Sequence, residues 1–195
     1  MERKKVVMIG GGTGTYSVLS GLKKFDNLDL SAVVAVTDSG GSTGKLRDEF
    51  GYLPVGDIRQ CMVALAEEGN GQNLMRDLFN YRFDKGGEGL EGHSFGNLFI
   101  TAMTEIMSGD EEKAIDYARR ILRIKGEVIP VSLDHIDIVM EQEDGNKVFG
   151  ETNIKDNYSD RNIESKIKKV WLEPEAHATP KAIKAIMEAD LIIIG

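Results

Sequence analysis

The sequence predicts an α/β protein built on a parallel sheet, and three observations carry that prediction. A short apolar strand, Lys5-Val6-Val7-Met8-Ile9, runs into Gly10-Gly11-Gly12-Thr13-Gly14-Thr15. A second, Ala32-Val33-Val34-Ala35-Val36, runs into Thr37-Asp38-Ser39-Gly40-Gly41-Ser42-Thr43-Gly44-Lys45. Between them the apolar positions of Tyr16–Phe25 recur with helical spacing. Strand, loop, helix and strand in that order bring both glycine loops to the carboxyl edge of a parallel sheet, where such sheets bind ligands. Glycine lets the backbone turn with φ > 0 and lets a ligand approach its N–H groups. A helix that follows adds free N–H groups and a positive dipole end, so a phosphate is the natural guest.

The elements follow in order. Strands are expected at Lys5–Ile9 and Leu30–Val36, and helical patterns at Gly56–Glu67, Gln72–Asn80, His93–Met107 and Asp110–Leu122. Val128–Leu133 reads as a buried strand. Ile136–Glu141 and Lys147–Gly150 flank Glu143-Asp144-Gly145-Asn146, whose Asp-Gly pair signals a hairpin turn, so a β-hairpin excursion interrupts the alternation. Ile167–Leu172 alternates polar and apolar residues, and Pro180–Ala189 is an amphipathic helix with proline near its start. Leu191–Ile194 is fully apolar, the composition of a central strand buried on both faces. A chain that stops one residue later reads as truncated: a single domain over residues 1–195, incomplete at its C-terminus, with this strand exposed on one side and solubility reduced. The glycine-rich segment Asp84–Gly92 reads equally as a surface excursion or as a loop that closes over a ligand.

Bulk properties narrow the classes. A chain of 195 residues with 41% hydrophobic content can bury one substantial core. A net charge of -8 argues against a general nucleic-acid binder, which needs a basic face. Only Val6-Val7-Met8-Ile9 follows the first lysines, unlike a signal peptide, and no apolar run approaches the roughly 20 residues of a membrane span. One cysteine fits a reducing cytoplasm. Cys61 lies in the apolar face of Ile58–Leu65 and reads as a core residue, not a nucleophile.

The motifs exclude two familiar labels. Gly10 and Gly12 open a dinucleotide fingerprint, but Thr15 holds its final glycine position and Gly14 falls one residue early, so an NAD enzyme is disfavoured. Gly44-Lys45 suggests a Walker A loop, yet Ser39 stands at its first glycine and Leu46 where a magnesium-binding hydroxyl is needed. A phosphate or nucleotide cradle remains, with Thr13 and Thr15 adding hydroxyls. Lys45 and Arg47 read equally as cations facing an anionic ligand or as a solvated helix start. Asp38 leaves the end of a buried strand, and Asp57 stands where a helix N-cap is expected. If the loops converge, these two carboxylates suit a magnesium ion or a substrate hydroxyl. In His93-Ser94-Phe95-Gly96-Asn97, His93 or Ser94 caps a helix, and Asn97 is placed to turn inward to a base or sugar. His135 and His177 lack metal-ligand spacing, so no zinc site is assigned.

These segments, in order over nearly the whole chain, resemble the CofD/YvcK family, and its YvcK branch more than CofD itself. The match rests on Gly10–Gly14, Asp38–Arg47, Pro54–Arg59, Gly92–Leu98, Gly150–Ile154, Leu172–Pro174 and Ala189–Gly195. The resemblance implies a Rossmann-like three-layer α/β/α domain with a cleft at the carboxyl edge of the sheet. CofD-type members move a phospholactyl group from a nucleotide-activated donor onto the deazaflavin Fo, using magnesium. YvcK-type members are associated with gluconeogenic growth, cell shape and cell-wall synthesis, and bind UDP-sugars such as UDP-N-acetylglucosamine. The expectation is therefore a nucleotide-sugar-binding regulatory protein, with a homo-oligomer compatible with it. Its ligand residues would be Gly10, Gly11, Gly12, Thr13, Gly14, Thr15, Asp38, Ser39, Gly40, Gly41, Lys45, Arg59, His93, Ser94 and Asn97. The alternative is a 2-phospho-L-lactate transferase-like enzyme in which Asp38 and Asp57 hold magnesium and act in catalysis. Here Ser39-Gly40-Gly41-Ser42 follow Asp38 where CofD carries further acidic residues, and Ser39 or Thr37 replaces a second acidic residue of the YvcK pattern. Both departures weaken the case for metal-assisted transfer.

Overall fold

Alternating burial along the first two strands sets the two faces of the sheet. In the computed structural model, which describes residues 3–69, 71–87, 89–159 and 166–195, β1 (Lys4–Gly10) and β2 (Leu28–Val34) pair in parallel from Lys4↔Leu28 to Gly10↔Val34. Val6, Met8, Leu30, Ala32 and Val34 turn to one face, and Val7 and Val33 to the other, as the period of two requires. β3 (Glu127–Pro130) joins β2, and β7 (Leu191–Ile194) joins β1, so the parallel order is β3-β2-β1-β7.

The first face is covered by α1 (Gly12–Leu22) and α3 (Gly56–Leu65), whose Leu19, Ile58 and Met62 are fully buried. α4 (Gln72–Asn80), α5 (Phe95–Ile106) and α6 (Glu111–Leu122) extend this core through Phe79, Ile100 and Leu122. Fully burying a side chain of this size stabilises by about 1.5–3 kcal/mol. The second face carries α8 (Pro180–Met187), with Ala182 against Val7, Val33 and Ile129. The result is the three-layer α/β/α architecture expected of the sequence. Between β3 and α8 the chain makes its excursion, an antiparallel sheet of order β5-β4-β6 built from β4 (Asp137–Gln142), β5 (Lys147–Phe149) and β6 (Ile167–Glu173). Asp144-Gly145 makes the hairpin turn, with Gly145 at φ +87°.

Two local features depart from the pattern read in the sequence. The second glycine segment is largely helix, because α2 (Gly41–Phe50) already begins at Gly41. Gly44 allows this: a Cβ there would lie 2.2 Å from the Ser39 carbonyl oxygen. A further helix, α7 (Glu151–Ser159), follows β5, where the polar sequence shows no apolar stripe. The segment Asp84–Gly92 is closed at its base by Gly92 N–H donating to Phe83 O and Phe83 N–H to His93 O; its Glu88 lies outside the described residues. Among the described residues β7 pairs with β1 alone, and Leu191, Ile192 and Ile194 are exposed. Among the described residues no helix is long and apolar enough to cross a membrane.

Cys61 is fully buried in the main core, and burial pushes its thiol up to about 12. The thiolate is the reactive form, so the folded chain should resist a thiol reagent at neutral pH and react only on unfolding. Comparing the reaction rate with and without denaturant checks this; rapid labelling of the native protein would contradict the core assignment.

Candidate functional site

The neighbours of β1 are reached through opposite faces: α1 leads to β2 on one, and α8 leads to β7 from the other. The carboxyl end of β1 is thus a topological switch point, the place where open α/β sheets hold ligands. The starts of α1 and α2 follow β1 and β2 directly, and hydrogen bonds draw three more helix starts to them. Gly12 N–H of α1 donates to Asp57 Oδ1 of α3 at 2.9 Å. Ser94 N–H, just before α5, donates to Ser42 Oγ of α2 at 3.3 Å. Thr152 N–H of α7 donates to Ser39 Oγ at 3.1 Å.

How these helices begin separates them into two groups. α5, α6 and α8 are capped by Ser94, Asp110 and Thr179, whose side chains accept from Asn97, Lys113 and Ala182 N–H. α1, α2 and α3 start at Gly11, Gly40 and Val55 with no side-chain cap. The first N–H groups of a helix have no partner within it. Around the crevice, then, the amide ends of α1 and α2 are left open, apart from the bonds that two aspartates make.

Those aspartates do not act as N-caps. Asp57 lies at the second position of α3, behind Val55, and reaches across to α1. A Cβ at Gly11 would lie 2.1 Å from Asp57 Oδ2, so the carboxylate packs where a side chain would otherwise be. Asp38 accepts Gly40 N–H through Oδ1 at 2.9 Å, while Oδ2 faces α3, 2.7 Å from the Cβ position of Gly56. Burial raises the Asp57 carboxyl above its ordinary range; the Gly12 bond opposes the rise, and the charge of Asp38 adds to it. Glu151, first residue of α7, is raised by burial and then by Asp38 and Asp57. The charge of Asp38 thus bears on both Asp57 and Glu151, and that of Asp57 on Glu151. Among the described residues they do not form a metal cage of protein groups. One oxygen each of Asp38 and Asp57 is already spent on an amide, leaving the pair suited only to a magnesium ion that brings phosphate and water ligands with it.

The other expected residues sort by what they touch. Gly10, Gly11, Gly12, Thr13 and Gly14 form the β1–α1 turn; Thr13 and Gly14 are exposed, while the Thr15 hydroxyl is sealed and unpartnered beside Gly10 and Gly195. Ser39, Gly40 and Gly41 line the start of α2, where Ser39 and Gly40 meet Thr152 and the Cβ position of Gly41 is open. Lys45 is exposed and makes no ion pair among the described residues; Arg47 is held by Asp137 at 2.8 Å and by Asp48. Arg59 is 8% exposed and points away from the amides: Nε donates to Asn97 Oδ1 at 3.0 Å and one terminal nitrogen to Asn80 Oδ1 at 2.8 Å and to Phe79 O. Asn97 is 2% exposed, and its amide nitrogen donates to Ser42 Oγ and Thr43 Oγ1, both at 3.3 Å. Asn97 and the Nε and one terminal nitrogen of Arg59 therefore brace the helix starts. His93 is buried with Nδ1 3.1 Å from Ser42 Oγ. Ser42, Thr43, Glu151 and Thr152 are site residues the sequence reading did not single out. The run of small hydroxyl residues after an uncapped glycine was the signal for the first two.

Comparison with known proteins agrees with this architecture. The family model described as 2-phospho-L-lactate transferase CofD matches residues 6–195. Proteins from Nostoc sp. and Aquifex aeolicus, each described as "Putative gluconeogenesis factor", are both 47% identical to the chain over 98% and 100% of its length. The "Gluconeogenesis factor" of Bacillus subtilis is 42% identical over 100% of the chain. The chain spans 40% of the Nostoc relative and 58% of each of the other two. A crystal structure of a Bacillus halodurans protein, described as a member of the UPF0052 family, superposes with a TM-score of 0.89 at 40% identity, over 100% of this chain and 59% of that one.

Two outcomes follow from the Gly11–Asp57 contact. Gly11→Ala should destabilise by about 1–3 kcal/mol, the range for forcing atoms into a packed site. Asp57→Ala should relieve part of that loss in the double variant, and strict additivity in urea unfolding would refute the contact. Separately, a carboxyl raised in the folded state binds its proton more readily folded than unfolded. The stability it confers is complete below the ordinary carboxylate range and is lost as pH rises through the raised value. Asp57→Asn should thus be more stable than wild type at neutral pH, the gap closing in acid; a wild type more stable at neutral pH would contradict the assignment.

Proposed function

The chain belongs to the CofD family, and on that premise we propose that its cleft binds a nucleotide-linked ligand, a UDP-sugar such as UDP-N-acetylglucosamine, in a regulatory role. One observation carries the reading: the glycine starts of α1 and α2, which no side chain caps, both follow the carboxyl ends of their strands beside the β1 switch point. The diphosphate of the ligand would lie on amides of Gly11, Thr13 and Gly14 from α1 and of Gly41, Ser42 and Thr43 from α2. Each helix start favours an anion by about 0.3–1 kcal/mol, and by up to about 2 kcal/mol where partly buried. Asp38 and Glu151, acceptors beside those amides, suit the hydroxyls of a sugar better than a further anionic group. The role would lie in gluconeogenic growth, cell shape and cell-wall synthesis within the cytoplasm, with no nucleic-acid partner. The names of the relatives support the first of these.

A second reading has its own support in the facing of Asp38 and Asp57. In a 2-phospho-L-lactate transferase-like enzyme these two would hold magnesium together with the diphosphate, and the metal would supply charge neutralisation at the leaving phosphate. The residues themselves would orient the donor, Asp38 from the end of β2 and Asp57 from the start of α3.

Calorimetric titration and a thermal-shift assay with UDP-N-acetylglucosamine, on a version extended to the length of the relatives, should show saturable heat and a raised Tm. Neither heat nor shift would sink the proposal. For the transferase reading, Asp38→Asn should abolish turnover while nucleotide affinity stays within about twofold; equal losses of rate and binding would count against it.

A further inference from the structure

A chain of hydrogen bonds with only one permitted direction runs from the core to the cleft. It starts at Arg59, whose guanidinium can only donate. Because Arg59 Nε lies 3.0 Å from one end of the Asn97 amide, that end must be the carbonyl oxygen. The NH2 of Asn97 then faces Ser42 Oγ and Thr43 Oγ1. Ser42 Oγ also receives Ser94 N–H. A hydroxyl has two lone pairs and one proton, so with both lone pairs engaged its third contact, with His93 Nδ1 at 3.1 Å, must be made by its own O–H. Nδ1 is therefore the acceptor. In the neutral ring the proton then sits on Nε2.

That nitrogen is the part of the ring left for a ligand. Among the described residues Nε2 bonds no protein group, and it is not among the polar atoms sealed without a partner, although His93 is only 3% exposed. We propose that Arg59, Asn97 and Ser42 are positioning residues that fix His93 as an Nε2–H donor at the start of α2, directed to an oxyanion of the bound ligand. The oxyanion part rests on the cleft being a diphosphate site; the direction of the relay does not. All three links are shielded from competing water, where a wrongly oriented hydrogen bond would leave two donors or two acceptors face to face with no solvent to satisfy them.

The test reverses the relay. The Asn97→Asp carboxylate accepts at both ends: it would still hold Arg59, but it would take the Ser42 proton and free a Ser42 lone pair for His93. Long-range 1H–15N spectra of the imidazoles at alkaline pH, assigned by difference with His93→Gln, should show Nε2–H in wild type and Nδ1–H in Asn97→Asp. A wild type protonated on Nδ1, or an Asn97→Asp variant that keeps Nε2–H, would overturn the relay. Ser42→Ala serves if Asn97→Asp does not fold: without the only donor facing Nδ1, a population with Nδ1–H should appear, and none appearing would also overturn it. Inorganic pyrophosphate added to wild type should shift the Nε2–H resonance. If the tautomers behave as expected and pyrophosphate moves nothing, the relay stands and the diphosphate reading of the cleft fails.

Discussion

Helix starts carry partial positive charge, and gathering several of them in one place is unfavourable unless negative charge is supplied there. This chain ties the starts of α1, α2, α3, α5 and α7 together at the carboxyl edge of its sheet. Asp38, Asp57 and Glu151 are the internal answer, each on or beside a helix start, with Asp38 raising both of the others and Asp57 raising Glu151. The balance is tight on both sides: the carboxylates quiet the dipoles, and the dipoles and amides make close-set carboxylates tolerable. An anionic ligand entering such a site meets open amides and fixed negative charge together. Its shape, more than its net charge, decides whether it fits.

Close approach makes the gathering possible, and four glycines set the distances. Gly11 admits the Asp57 carboxylate, Gly44 lets α2 close onto the Ser39 carbonyl, Gly56 lies against Asp38 and Thr43, and Gly96 lies under the Arg59 side chain. None of these four has a positive φ, so their role is space and not backbone conformation. By contrast Gly10, Gly12 and Gly41 adopt φ values of +151°, +67° and +47° and turn the chain from strand to helix. The glycine loops thus contain two kinds of glycine with different duties.

Much of the framework was legible because it follows from local rules. Strands of a parallel sheet are apolar runs, so β1, β2 and β7 stood out, although β7 is exposed in the fold; α4 has the bounds its periodicity predicts, and Asp144-Gly145 marked the hairpin. What escaped was set by long-range contact. α7 is polar, and its start is fixed by Ser39, far away in the chain. Asp57 looked like a cap because a helix begins nearby, and only the approach of α1 turns its side chain across. Arg59 looked like a cation for a ligand, yet the end of α4 claims its guanidinium through Phe79 O and Asn80. Charge type can be read in sequence; the direction in which a charge points cannot.

The contact between Ser39 and Thr152 joins residues separated by 113 positions. On a ribosome, where chains grow at roughly 5–20 residues per second, the amide ends of α1 and α2 are made several seconds before the segment that completes their rim. For that interval the nascent cleft has its floor without one wall. Until then Ser39 lacks its partner on α7, so the order of synthesis decides when this side of the helix-start cluster is set.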